Sequence, residues 1–208
     1  MNWLNEFTKH RGIVAILRGV RPNEVEVIAE TLIEAGITLI EVPLNSPDPF
    51  DSIARLVKLS DGRALVGAGT VLTADDVDRL SGIGSQIVIS PNTNSDVIRR
   101  TRKCDMFSMP GVFTASDAFN ALDAGAHVLK FFPADTLGPG GISGIKAVLP
   151  VGTPIAAVGG IDETSFAAYR AKDIHGFGIG STLYKPGRTA DEIGTIARKL
   201  VAAFDAAG

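Results

Sequence analysis

The chain has 208 residues and a formal net charge of −3. That length supports one sizeable core and a single domain, 1–208. The near-neutral charge argues against binding nucleic acid or a membrane surface. No apolar run approaches the ~18 residues of a transmembrane helix, and the start, through Phe7, Lys9 and His10, lacks the apolar stretch of a signal peptide. The single cysteine, Cys104, excludes an intramolecular disulfide and fits a reducing cytoplasm.

An amphipathic start (Trp3, Leu4, Phe7) leads to an apolar run, Ile13–Leu17, that ends in Arg18-Gly19. A helix follows, with Asn23 as expected N-cap and Ala35-Gly36 as its end. Thr38–Leu44 is the second strand and carries Glu41 among apolar neighbours. Residues 50–59 are helical, and Ala64–Thr70 is the third strand. Thr73 caps the next helix. Gln86–Ser90 is a fourth strand stopped by Pro91, and Ser95 opens a helix to Arg102. Asp105–Met109 is a fifth strand stopped by Pro110, and Thr114 starts another helix. His127–Pro133 is the sixth strand, and residues 142–148 are helical. Pro154–Val158 is the seventh strand, closed by Gly159-Gly160, and Asp162-Glu163-Thr164 caps a helix. Gly176–Gly180 is the eighth strand, followed by Ser181, and Thr189 opens the last helix.

Strand starts recur about every 23 residues, and each strand is a near-continuous apolar run. Eight such β–α units predict a parallel sheet covered on both faces, closed as a (β/α)8 TIM barrel behind a short N-terminal helix. A doubly wound open sheet is the competing architecture. Gly67-Ala-Gly69 lacks the third glycine of a dinucleotide fingerprint.

One strand carries an anomaly. Alternation puts Val128, Lys130 and Phe132 on one face and Leu129 and Phe131 on the other. Lys130 thus points where apolar side chains point. Burial disfavours its ammonium form, and moving a lysine from ~10.4 to about 7 costs roughly 4.6 kcal/mol in the proton equilibrium. The product is an amine nucleophile suited to imine formation on a ketone. A lysine snorkelling to water is the plainer alternative.

In a barrel the C-terminal ends of the strands carry the chemistry. Here they select Arg18, Glu41, Asn45, Thr70, Pro91, Lys130, Phe132, Gly159, Gly160, Gly180 and Ser181. By parity Glu41 faces the same interior as Lys130. It is either a structural ion-pair partner or a proton shuttle tuned toward neutrality. Gly159, Gly160, Gly180 and Ser181 follow the last two strands, where barrels often bind phosphate on backbone N–H groups. The three histidines have no metal-ligand spacing, so no metal is expected, and no nucleophile elbow supports a serine triad.

These residues, in this order, resemble the class I aldolases that cleave 2-keto-3-deoxy-6-phospho sugar acids. The segments that carry the resemblance are Ile13–Gly19, Glu41-Val-Pro-Leu-Asn-Ser, Gly67-Ala-Gly-Thr-Val-Leu, Pro91-Asn and Lys130-Phe-Phe-Pro, spread over nearly the whole chain. The resemblance implies Lys130 as the Schiff-base residue, Glu41 as general acid/base, and no cofactor or metal. It implies pyruvate recognition around Thr70 and Phe132, substrate binding by Arg18, phosphate at Gly159, Gly160, Gly180 and Ser181, and a cytoplasmic homotrimer.

Gluconate-type members read Glu-Val-Thr-Leu-Arg-Thr and Pro-Thr-Gly-Gly. This chain has Pro43 and Asn45 in the first motif and Ala157-Val158 in the second. Both departures are similar to galactonate-type members, and Val158 removes a hydroxyl from the substrate side. The expected substrate is therefore 2-dehydro-3-deoxy-6-phospho-D-galactonate, cleaved to pyruvate and D-glyceraldehyde 3-phosphate. The gluconate epimer, 4-hydroxy-2-oxoglutarate, and a non-covalent phosphosugar isomerase or binding barrel are the alternatives.

Overall fold

The computed structural model describes residues 3–208. Met1, Asn2 and the side chains of Trp3 and Leu4, part of the expected amphipathic start, lie outside the described residues. A short helix, α1 (Trp3–Phe7), precedes β1 (Ile13–Ile16), α2 (Val25–Glu34), β2 (Leu39–Pro43), α3 (Pro49–Ser60) and β3 (Leu65–Gly69). Then come α4 (Ala74–Gly82), β4 (Ile87–Ile89), α5 (Ser95–Lys103), β5 (Phe107–Met109), β6 (Gly111–Val112), α6 (Ala115–Asp123) and β7 (Leu129–Phe131). The chain ends with α7 (Ala134–Lys146), β8 (Ile155–Val158), α8 (Phe166–Arg170), β9 (Gly176–Ile179) and α9 (Ala190–Ala206).

All the strand pairs are parallel, in the order β5-β4-β3-β2-β1-β9-β8-β7-β6. The two ends of that order, β5 and β6, are halves of one strand on either side of Pro110. The first half pairs with β4 and the second with β7. The Lys130 N–H donates to the Pro110 carbonyl at 3.0 Å, and Phe132 N–H to Val112 O at 3.2 Å. The sheet is therefore a closed (β/α)8 barrel. The sequence reading ended the fifth strand at Pro110; the structure carries it to Val112. Proline has no N–H to give, but its carbonyl still accepts, so the ladder survives.

Side-chain alternation sorts the core into two layers. Val14, Leu39, Leu65, Ile87, Phe107, Met109, Val128 and Ala156 fill the barrel interior. Ile13, Ala15, Ile40, Val42, Leu129, Phe131 and Phe177 face outward and pack under the helices. Phe7, from α1, joins the interior cluster and stacks on Phe107 at 4.5 Å. Phe107 in turn stacks on His127 at 5.0 Å. His127 Nδ1 accepts the Ser108 N–H at 3.0 Å. Burial, and then the nearby Arg102 charge, push this imidazole down to about 4, so it sits neutral at the N-terminal end.

Helix starts follow local chemistry. The Thr73, Thr114 and Thr189 hydroxyls accept the N–H three residues on, with reciprocal Asp117 and Glu192 boxes at the last two. Three expectations are corrected. Glu24, not Asn23, holds the cap position of α2, and its carboxylate accepts the Arg21 N–H at 3.0 Å instead. Ser95 opens α5 as expected, and the Asn94 before it is its cap. The helix expected at 142–148 begins at Ala134 and ends at Lys146, kinked where Gly138 takes φ 64° before Pro139. Ser165, not the expected 162–164 segment, holds the cap position of α8, because Asp162 closes the preceding turn instead, accepting from Thr164 N–H at 2.9 Å.

Candidate active site

Lys130 occupies the middle of β7, level with Gly111 on one side and Ala156 on the other. Small neighbours on both sides leave its stem room inside the barrel. The residue is 6% exposed. Its Nζ donates to the Ser90 carbonyl at 3.3 Å and lies 4.8 Å from the centroid of the Phe132 ring. One hydrogen bond replaces the three donors' worth of water an ammonium wants. Burial pushes this amine down; Glu41 pulls it back up, and Arg18 pushes it down further.

Glu41 stands on β2, level with Ile16 on β1 and Gly67 on β3. It is 2% exposed. Among the described residues Oε2 is buried with no hydrogen-bond partner, a state that costs about 1–3 kcal/mol or more for a charged group. Burial pushes its carboxyl up to about 7, against the opposing pull of Lys130 and then Arg18. The carboxyl is therefore poised to gain or lose a proton near neutrality.

Arg18 follows β1 and reaches over the ends of the neighbouring β2 and β3. Its Nη1 donates to Asn45 Oδ1 at 2.5 Å, and Nη1 and Nη2 both approach Thr70 Oγ1 at 3.4 Å. Thr70 has φ 54°, the left-handed region that a β-branched residue avoids. That backbone turns its hydroxyl toward the guanidinium at the end of β3. Ser46 Oγ accepts the Gly19 N–H at 2.9 Å and ties the loop after β2 to the loop after β1.

A cavity of about 540 Å³ opens at this end of the barrel. Among the residues named from sequence, Arg18, Phe132, Val158, Gly159, Gly160, Gly180 and Ser181 line it. Gly159 and Gly160 have φ 101° and 69°. This double left-handed turn exposes backbone at the end of β8, beside the Asp135 side chain. Asn45 and Thr70 join the wall through Arg18. Pro91 stays outside it and packs against Gly111, where a Cβ would come 2.3 Å from Pro91 backbone.

Four contributors escaped the sequence reading. The Ser90 carbonyl holds the lysine amine. Gly69 leaves the space that the Glu41 carboxylate fills. Tyr184 and Lys185 line the cavity from the loop after β9. Backbone acceptors carry no sequence signal. Gly69 was visible only as part of a Gly-Ala-Gly run. Among the described residues no group of three or more His, Cys, Asp or Glu side chains is arranged to hold a metal ion.

The fold and the site define a class: a (β/α)8 barrel with a buried amine and a buried carboxyl at the mouth that barrels use for chemistry. Residues 4–196 match the family model of KDPG and KHG aldolases. The chain belongs to that aldolase family. It is 52% identical to the probable 2-dehydro-3-deoxy-6-phosphogalactonate aldolase of Rhizobium meliloti (strain 1021), over 94% of this chain and 92% of that protein. It is 41% identical to the 2-dehydro-3-deoxy-6-phosphogalactonate aldolase of Escherichia coli (strain K12), over 92% and 94% of the two chains. A solved native KDPGal structure superposes with a TM-score of 0.92 at 40% identity, covering 94% of this chain and 95% of that one.

Proposed function

We propose that this protein is a class I aldolase that reversibly splits 2-dehydro-3-deoxy-6-phospho-D-galactonate into pyruvate and D-glyceraldehyde 3-phosphate. The observation that carries the reading is the pair of opposed buried groups: a lysine amine pushed down and a glutamate carboxyl pushed up to about 7 at one barrel mouth. Such a pair combines an amine whose charged form burial disfavours with a carboxyl able to shuttle a proton. The galactonate assignment rests on the two relatives named for that substrate and on Val158 in the cavity wall.

The Lys130 amine adds to the C2 ketone, and water leaves as the imine forms and takes up a proton. The Glu41 carboxylate takes the C4 hydroxyl proton. The C3–C4 bond breaks, its electron pair moves into the iminium, and the aldehyde departs. Protonated Glu41 returns the proton to C3 of the resulting enamine. Water then hydrolyses the iminium, freeing pyruvate and the lysine. Arg18, oriented by Asn45 and Thr70, holds the pyruvyl carboxylate, with the Phe132 ring beside it and the Ser90–Pro91 turn behind the amine. Gly159, Gly160, Gly180 and Ser181 hold the phosphate with backbone N–H groups and one hydroxyl.

The chemistry is carried by the lysine imine, with no cofactor or metal in any step. The family resemblance supports a homotrimer at work in the cytoplasm. No described helix is long and apolar enough to cross a membrane. The test is reductive trapping: pyruvate with borohydride should fix a reduced three-carbon adduct on the peptide holding Lys130, and Lys130→Met should abolish it. An adduct on Lys146 or Lys185, or none, removes the reading. It would also reopen the non-covalent isomerase, in which Glu41 alone would act.

A further inference from the structure

Among the described residues, Arg18 and Lys185 are the two charged side chains in the wall of the cavity that the proposed phosphate site occupies. Arg18 is committed to Asn45 and Thr70, toward the amine–carboxyl pair whose protonation it influences. Lys185 sits on the loop that follows Gly180 and Ser181. Among the described residues no hydrogen bond or ion pair engages its amine.

That loop is held firmly. Leu183 and Tyr184 N–H both donate to the Gly180 carbonyl at 2.9 Å. Tyr184 is buried, and its hydroxyl donates to Glu24 Oε1 at 3.0 Å. Arg188 Nη1 donates to the Thr182 carbonyl at 2.7 Å and to Ser181 O at 3.3 Å. Thr182 Oγ1 donates to Ile161 O at 3.2 Å, which joins the loop to the one after β8. Pro186 abuts Gly19, where a Cβ would come 2.8 Å from its Cγ. The loop's other cation, Arg188, is thus spent on backbone carbonyls, and Lys185 is presented to the cavity from an anchored base.

Neutral glycine N–H groups and a serine hydroxyl leave a phosphate dianion without a counter-charge. The carboxylate of Asp135 adds to the need: its Oδ2 lies 2.6 Å from where a Cβ on Gly160 would be. We propose that Lys185 is the cation of the phosphate end, a binding residue that takes one phosphate oxygen and offsets Asp135. This rests on the aldolase reading for the identity of the substrate, but not for the presence of a phosphomonoester site. The arrangement splits recognition between two cations, Arg18 for the carboxylate end of the substrate and Lys185 for the other.

The test is binding of glycerol 3-phosphate, an unreactive phosphomonoester, by calorimetry to the wild-type protein, Lys185→Met and Lys185→Arg. Kinetics on the phosphorylated and unphosphorylated keto-deoxy acids accompany it. A charge-assisted bond at a half-open site should be worth about tenfold. Lys185→Met should weaken glycerol 3-phosphate about tenfold and raise KM for the phosphorylated substrate by the same factor, with the loss in KM and not in kcat. Lys185→Arg should restore most of both, and the decline of wild-type affinity with added salt should flatten in Lys185→Met. An unchanged affinity, or equal losses on phosphorylated and unphosphorylated substrates, overturns the proposal. Pyruvate trapping on the same proteins reports the aldolase reading separately: a wild type that binds glycerol 3-phosphate through Lys185 yet traps no pyruvate sinks the reaction and leaves the site.

Discussion

Gly69 lacks a side chain because Glu41 occupies its place. A Cβ built on Gly69 would lie 1.5 Å from Glu41 Oε2 and 2.5 Å from Oε1. The two residues stand on adjacent strands, β3 and β2, whose register pairs Gly69 with Pro43 and Gly67 with Glu41. The carboxyl therefore leans toward the C-terminal mouth over the glycine. A buried ionisable group has been given its room by deleting a neighbour's side chain.

Gly69→Ala should accordingly displace the carboxyl or force the strands apart. Overpacking of a filled interior costs about 1–3 kcal/mol, and a carboxyl moved off its position should cost turnover by a factor of about 10² or more. Thermal melts and kcat measure the two effects. The decisive form is a double-mutant cycle: in an Glu41→Ala background, Gly69→Ala should cost little stability. An equal cost in both backgrounds would mean that the glycine serves the backbone and not the carboxyl.

The raised Glu41 carboxyl makes a stability prediction with a definite sign. The folded state holds its proton up to about 7, while the unfolded chain releases it near 4.5. Between those values the native state binds more protons, so unfolding free energy falls as pH rises. The destabilisation is absent below 4.5, complete above 7, and about 3 kcal/mol by the value of a proton equilibrium. His127 acts in the opposite sense over nearly the same range. It is neutral in the fold down to about 4, so stability contributed by its neutral form is lost as pH falls from 6.5. The wild-type profile should thus be flatter than either group alone would make it. Glu41→Gln removes one of the two: its melting temperature should match wild type below pH 4.5 and exceed it above pH 7. Identical melts at pH 8 would return Glu41 to an ordinary ion pair with Lys130.

Arg18 tests the carboxylate end. Arg18→Lys keeps the charge but loses the fork that meets Asn45 and Thr70 together. Hydrogen bonds to a charged group are worth about 1.5–3 kcal/mol, so the pyruvate concentration needed for half-maximal borohydride trapping should rise roughly ten- to hundredfold. The melting temperature should change little, because the guanidinium lies at an open rim. An unchanged trapping curve would move the carboxylate elsewhere in the mouth.

How much of this was legible in the sequence depended on whether the signal was local. The eight repeating units, the interior parity of Glu41 and Lys130, and the threonine caps are all set within a few residues, and each was readable. The α7 helix was half missed because Gly138-Pro139-Gly140-Gly141 looks like a breaker, yet Gly138 takes a left-handed φ and the helix resumes. Pro110 looked like a strand end because a missing donor is visible in sequence and a retained acceptor is not. Glu24 displaced Asn23 at the α2 cap because its carboxylate already accepts the Arg21 N–H and its hydroxyl partner Tyr184 lies 160 residues away. The Glu41–Gly69 relation and the Lys185 position needed cross-strand and loop-to-loop distances, which no one-dimensional pattern contains.

The last prediction concerns the configuration at C4, where the galactonate and gluconate substrates differ. Val158 ends β8, is 4% exposed, and lines the cavity. Its Cγ2 lies 2.7 Å from where a Cβ on Gly178 would be, so glycine in the neighbouring strand makes the space that the isopropyl group fills. The residue is therefore fixed in place beside the reacting chain. Threonine has nearly the shape of valine and adds one hydroxyl. A C4 hydroxyl aimed at Val158 finds no partner, and an unmade buried hydrogen bond costs about 1–3 kcal/mol, or roughly a factor of 5 to 150. The epimer whose hydroxyl points away loses nothing. The wild-type protein should show the higher kcat/KM on the galactonate epimer and retain activity on the gluconate one. Val158→Thr should narrow the preference by a factor in that range; the shape over Gly178 is kept, but the added hydroxyl at a buried position should lower the melting temperature modestly. Assays of both epimers on both proteins measure it. A wild type that prefers the gluconate epimer would reverse the substrate assignment while leaving the lysine chemistry in place, because the imine forms at C2 and the discrimination is made at C4.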